Sequence, residues 1–151
     1  MICFVIGMPG VGKSTYIKEN FKNEIVMDVF EYQGKYGVVE GYYRMMDDLK
    51  NIIVSPERGN KDIVVEHTLL RKQRRKEYID AIRTVSDEDI VLVFIDKNDN
   101  KIYQQLLKRY KETEPNIEKK TIENIKRQIN IHRDILEKPT SDEEFSKIIF
   151  K

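Results

Sequence analysis

The run Gly7-Met8-Pro9-Gly10-Val11-Gly12-Lys13-Ser14 fits the spacing G-x-x-x-x-G-K-[ST] and joins two segments of different period. Residues 2–6, Ile-Cys-Phe-Val-Ile, are apolar, β-branched or aromatic, and read as a buried parallel strand. Residues 15–21 place Ile17 and Phe21 one helical turn apart. Strand, glycine loop and helix in that order form the context that makes the motif a phosphate site. Glycines let backbone N–H groups converge on phosphate oxygens where a Cβ would interfere. The helix start adds its dipole and unpaired N–H groups. Gly7, Pro9, Gly10, Val11, Gly12, Lys13, Ser14 and Thr15 are thus the expected contacts of a nucleoside triphosphate. Lys13 would neutralise the β- and γ-phosphates and Ser14 would ligate Mg²⁺.

The rest of the chain alternates apolar runs with helical patterns, the signature of a parallel α/β sheet. Residues 24–27 give a short second strand ending at Asp28, 62–66 a third, 90–95 the fourth and most apolar, and 147–150 a last short one. Between them, helices are expected over 38–53, 69–85, 98–111 and 118–137, with loop chemistry at 55–60 and a turn at 112–116. The expected architecture is one α/β domain over 1–151. It is a three-layer P-loop kinase-like fold around a short, mainly parallel five-stranded sheet.

Composition narrows the function classes. Lys and Arg number 27 against 26 Asp and Glu, so the net charge of +1 does not by itself call for a polyanionic partner. The single cysteine, Cys3, lies in the first apolar run and allows no internal disulfide, as suits a reducing cytoplasm. No signal peptide or membrane-length apolar run is read, so a cytoplasmic location without a membrane partner is expected. His67 and His132 have no partners at zinc-ligand spacing. No N-K-x-D-type guanine reader is present; Asp96-Lys97-Asn98-Asp99 has similar letters in another order and reads as a strand-to-helix turn.

In parallel α/β folds the ligand lies beyond the carboxyl ends of the strands. Asp28, the run Glu66-His67-Thr68 and Asp96 fall there. Asp28 reads as a general base for an attacking hydroxyl, or as a helix N-cap. Glu66 is the candidate for outer-sphere support of magnesium. His67 competes for that position in register, although magnesium prefers oxygen. Thr68 would bind a substrate phosphate or cap the next helix. Arg109, helped by Lys108 and Lys111, reads as part of a basic lid over the triphosphate, or as a helix-end cation. The run Leu70-Arg71-Lys72-Gln73-Arg74-Arg75-Lys76 is the strongest basic cluster, either a polyanion contact or a solvated helix face beside Glu77 and Asp80.

Taken together, these residues resemble the polynucleotide 5′-hydroxyl kinases, P-loop kinases of nucleic-acid end repair. The resemblance rests on residues 7–14, Asp28, Thr68 with Arg74-Arg75, the Arg109 segment, and the ending 136–149. In that ending a proline-threonine turn at Pro139-Thr140 leads through Phe145 into the last strand. It implies ATP and Mg²⁺ on Lys13 and Ser14, Asp28 as base for the 5′-hydroxyl, Thr68 beside the acceptor's neighbouring phosphate, and Arg109 on the donor phosphates. The chain departs from the family pattern at three places. Met27, Val29, Phe30 and Glu31 surround Asp28 where the family has a nearby arginine, His67 stands where an aspartate is usual, and Glu144 replaces a glycine before Phe145. Acceptor binding is therefore assigned to Arg44 or to Arg71 and the 71–76 helix. A kinase acting on a nucleotide, nucleoside, sugar or antibiotic fits the same residues, as does a nucleotide-binding regulatory or toxin-like protein.

Overall fold

The computed structural model describes residues 1–151. In chain order the elements are β1 (Ile2–Ile6), α1 (Lys13–Asn20), β2 (Ile25–Asp28), α2 (Val29–Tyr36), α3 (Val38–Val54), β3 (Ile63–His67), α4 (Lys72–Arg83), β4 (Ile90–Phe94), α5 (Asp99–Thr113), α6 (Lys119–Ile135) and β5 (Lys147–Phe150). All strand pairings are parallel and the sheet order is β2-β3-β1-β4-β5. No helix is long and apolar enough to cross a membrane.

Strand alternation divides the core into two layers. Ile2, Phe4 and Ile6 of β1, with Ile63 and Val65 of β3, face Val29 of α2, Tyr42, Met45 and Leu49 of α3, and Tyr78 and Ile82 of α4. Cys3 and Val5, with Val64 and Val93, face Ile17 of α1, Ile102 and Leu106 of α5, and Ile125 and Ile129 of α6. Both faces of the central strands are covered, which is why β1 and β3 are buried from end to end and read as unbroken apolar runs. Burial drives the Cys3 thiol up to about 12, so this cysteine packs as a small hydrophobe.

Two elements differ from the sequence expectation. Helix α2 forms in a polar, glycine-containing stretch whose apolar spacing does not announce it. The Asp28 side chain caps it, and it lies against α3 at Gly41, where a Cβ would come 2.6 Å from the Gln33 backbone. Helix α4 starts at Lys72, three residues later than the pattern at 69 implies. Leu69 has φ 40°, the left-handed region that stops a helix from starting there, so residues 68–71 form a corner.

Candidate active site

The register assembles the site. Asp28 is the cross-strand neighbour of Glu66, and Glu66 that of Val5, so the two carboxylates share the sheet face covered by α1. The loop after β1 delivers Lys13 and Ser14 to that same end. Gly7 makes the exit possible: its φ is 153° and a Cβ would sit 2.4 Å from the Ile95 carbonyl oxygen. Gly12 caps α1 with no side-chain hydrogen bond, which leaves the first N–H groups of the helix open to an anionic ligand.

Lys13 is buried, and its Nζ donates to the carbonyls of Gly7 (2.9 Å) and Met8 (3.0 Å), with the Phe30 ring 5.7 Å away. Desolvation pulls its pKa down to about 8 against the opposing attraction of Glu66, and Arg109 pushes it the same way as burial. Ser14 Oγ donates to Glu66 Oε1 at 2.6 Å. Burial raises the Glu66 pKa, the Ser14 hydroxyl opposes that shift, and the Asp28 charge adds to it. Asp28 Oδ1 accepts the Phe30 N–H at 2.9 Å, so this residue is indeed the N-cap of α2. The cap occupies one carboxylate oxygen only, which leaves Oδ2 available.

A cavity of about 370 Å³ joins Lys13, Ser14, Asp28, Glu66 and Arg109, together with Phe30 and Gln105. Gln105 precedes Arg109 by one helical turn on α5 and shares its face; that i, i+4 spacing was the sequence signal for it. Gly10, Gly12, Thr15 and Gln105 also border an adjoining cavity of about 420 Å³, lined besides by Tyr16, Lys97 and Lys101.

A third cavity, of about 310 Å³, opens on the other side of the β3 end, between α3, α4 and α6. Thr68 and Arg71 line it, in company with Tyr42 and Tyr43, which no motif marks. Arg44 lines none of these three cavities; it pairs with Glu40 at 3.3 Å and stacks on Tyr36. Asp96 is likewise held apart, paired with Arg133 at 2.9 Å.

The basic run before and within α4 resolves into single residues with separate partners. Lys72 pairs with Asp142, Arg74 with Glu77 and Lys76 with Asp80. Arg75 is fully buried and bidentate on Glu143 at 2.6 and 3.0 Å, and it also donates to the Leu69 and Leu70 carbonyls. Arg71 alone keeps an unpaired guanidinium on the cavity rim. His67 points into the apolar layer opposite Glu66 and is buried and neutral, its pKa driven down to about 3 by desolvation. Glu66, and not His67, therefore holds the position next to Ser14.

No family model matches the sequence, and no match is found among curated proteins. Solved structures do match. Kti12 of Chaetomium thermophilum, in complex with ADP-AlF3, aligns over 100% of this chain and 88% of its own, with TM-score 0.65 and 15% identity. A gluconokinase from Sinorhizobium meliloti 1021 aligns over 98% and 79%, with TM-score 0.61 and 12% identity. A chain of the Pnkp1/Rnl/Hen1 RNA repair complex aligns over 93% of this chain and 50% of its own, with TM-score 0.59 and 16% identity. At these identities the likeness is one of architecture: this chain has the P-loop kinase fold.

Proposed function

We propose that the protein is a magnesium-dependent kinase that moves the γ-phosphoryl group of ATP to a hydroxyl, with the 5′-hydroxyl end of DNA or RNA as the acceptor. The observation that carries this reading is the convergence of Lys13, Ser14, Asp28, Glu66 and Arg109, from four different elements, on one cavity. Phosphoryl transfer depends on positioning and on charges aimed at the transferred group, and these residue types supply both.

In this mechanism Lys13 leaves the Gly7 and Met8 carbonyls for the β- and γ-phosphates, and Arg109 closes from α5 on the same oxygens. The adjoining cavity beside Tyr16 and Lys101 takes the nucleoside of the donor. Ser14 Oγ and the Glu66 carboxylate, 2.6 Å apart, form an all-oxygen set that fits magnesium, which Ser14 would ligate and Glu66 would support through hydrogen bonds. Bound there, magnesium would supply neutralisation of the charge on the phosphates. Asp28 Oδ2 takes the proton of the acceptor hydroxyl as its oxygen bonds to the γ-phosphorus. The bond from that phosphorus to the β-phosphate oxygen breaks, ADP leaves, and the proton then departs to solvent. Thr68 and Arg71 bind the acceptor's neighbouring phosphate.

A second reading, phosphorylation of a small hydroxyl compound, is favoured by the absence of any cation from the residues flanking Asp28, namely Met27, Val29, Phe30 and Glu31. Transfer of label from γ-labelled ATP to a panel of acceptors separates the two. The panel holds 5′-hydroxyl DNA and RNA, 5′-phosphorylated controls, nucleosides and sugars. Labelled oligonucleotide 5′ ends support the first reading and label only on small acceptors replaces it with the second. ATP binding without transfer to anything would leave a nucleotide-binding regulator and overturn the kinase.

A further inference from the structure

His67 carries a hydrogen-bond donor that nothing in the protein uses. Its Nδ1 accepts the N–H of Thr68 at 2.8 Å and that of Leu69 at 3.3 Å. A nitrogen occupied as an acceptor carries no hydrogen, so in the neutral ring the proton resides on Nε2. That Nε2 is buried and has no partner. The rings of Tyr42 and Tyr78 stand 5.6 and 5.4 Å away, nearly perpendicular to the imidazole, but their hydroxyls are committed elsewhere. Tyr42 donates to Glu77 at 2.7 Å and Tyr78 to the Tyr42 carbonyl at 3.2 Å. Buried polar groups are almost always paired, and an exception points to a missing partner.

His67 also lines the 310 Å³ cavity, whose size is near the lower end of small-ligand pockets (~300–1,000 Å³). Tyr42 and Tyr43 form an aromatic wall, and Val38 and Val39 lie at the mouth with 73% and 70% of their surface exposed. At the opposite rim stands Arg71, the N-cap of α4, with no side-chain cap and no acidic residue in the first turn of that helix. The cavity thus pairs an apolar, aromatic wall and the unpaired donor of His67, one of its lining residues, with a cationic edge. Apolar walls with one unpaired donor suit a flat ring that carries an acceptor atom. The unfilled helix start suits an anion attached to that ring.

We propose that this cavity is a ring subsite: it binds a neutral heteroaromatic ring of the nucleobase kind, with a ring acceptor atom on the His67 Nε2–H. An attached phosphate lies on Arg71 and the start of α4. The proposal rests on the kinase reading in one respect, that the ring belongs to the acceptor. His67 then sets which acceptors are chosen, without touching the reacting atoms.

The test uses 5′-hydroxyl oligonucleotides whose first residue is either intact or abasic, with the whole chain, in transfer assays and in fluorescence anisotropy with MgADP present. The unaltered protein is expected to prefer the intact end by about tenfold or more in KM and in binding. His67→Asn keeps an acceptor for the Thr68 N–H and removes the ring-tip donor. His67→Gln places a donor near the Nε2 position and gives up the backbone acceptor. The Asn variant is expected to lose the preference while kcat on the abasic end and MgADP affinity stay within about threefold, and the Gln variant to keep it. Equal treatment of intact and abasic ends by the unaltered protein overturns the proposal. So does a loss of preference in the Gln variant with retention in the Asn variant, which would make the backbone contact the reason for His67. If no acceptor is phosphorylated, the kinase reading fails, and anisotropy alone decides the subsite. A tenfold binding preference then upholds it, and equal binding or none sinks it.

Discussion

Two cations are buried in this protein, and they are treated in opposite ways. Arg75, at the corner between β3 and α4, has its charge met by the Glu143 carboxylate and its remaining donors by two carbonyls. Lys13, in the phosphate loop, has only the two carbonyls of its own loop, with Glu66 acting at longer range. The first site is electrically complete. The second is held short of completion by the fold, and its depressed pKa records the cost of keeping an ammonium there. Burial alone therefore does not distinguish a structural charge from one kept for a ligand; what matters is whether a counter-charge comes with it.

The largest effects should divide the pair cleanly. Lys13→Ala is expected to lower kcat/KM for phosphoryl transfer by about 10²-fold or more, with the melting temperature unchanged or higher, because an under-compensated charge is removed. Arg75→Met leaves Glu143 buried without its partner and is expected to cost about 3–5 kcal/mol, roughly 6–20 °C in melting temperature. Adding Glu143→Leu should return most of that loss. Thermal melts and steady-state rates on the four proteins check both arms. A large melting loss in the Lys13 variant, or none in the Arg75 variant, would erase the contrast.

Asp28→Asn sharpens the comparison from the side of chemistry. The amide oxygen still accepts the Phe30 N–H, so the cap survives and ATP affinity should stay within a few-fold. Turnover is expected to fall by about 10²-fold. Full turnover in this variant would assign the proton to another group.

The smallest effect is a proton count. Lys13 has an ordinary pKa of 10.5 and a folded value of about 8, so the unfolded chain binds more protons between those values. The free protein therefore gains stability as pH rises from about 8 to 10.5. A bound triphosphate favours the charged ammonium, so nucleotide binding takes up a proton above pH 8. Its affinity should then fall by up to about tenfold per pH unit. Calorimetry in buffers of different ionisation enthalpy measures the uptake; a buffer-independent heat at pH 9 would mean that Lys13 is already charged in the free protein.

The glycine loop between β1 and α1 was legible in the sequence because its parts are consecutive and the motif is defined by their spacing. The central strands were legible because both faces of each are covered, so β1, β3 and β4 spell themselves as apolar runs. Long-range pairings were not. Ser14 meets Glu66 across 52 positions, and Arg75 meets Glu143 across 68. A charged residue's letter does not say whether its partner is a ligand, a neighbouring turn or another chain segment. The basic run at 71–76 accordingly read as one cluster, while the fold commits Lys72, Arg74, Arg75 and Lys76 to separate carboxylates and leaves Arg71. The unpaired nitrogen of His67 depends on which backbone groups its other nitrogen meets, and no residue pattern encodes that.

The Arg75–Glu143 contact also has a consequence in time. Glu143 seals the corner that carries Thr68 and Arg71, and the Glu137 N–H braces the same corner through the Leu70 carbonyl at 2.8 Å. During synthesis the glycine loop and the three central strands have all been made once residue 94 is added. The corner must wait for the segment after α6. Contacts of such sequence separation are slow to close. A nascent chain of this protein would thus hold β1, β3 and β4 well before this corner is sealed, and Arg75 would lack its counter-charge until residue 143 has been added.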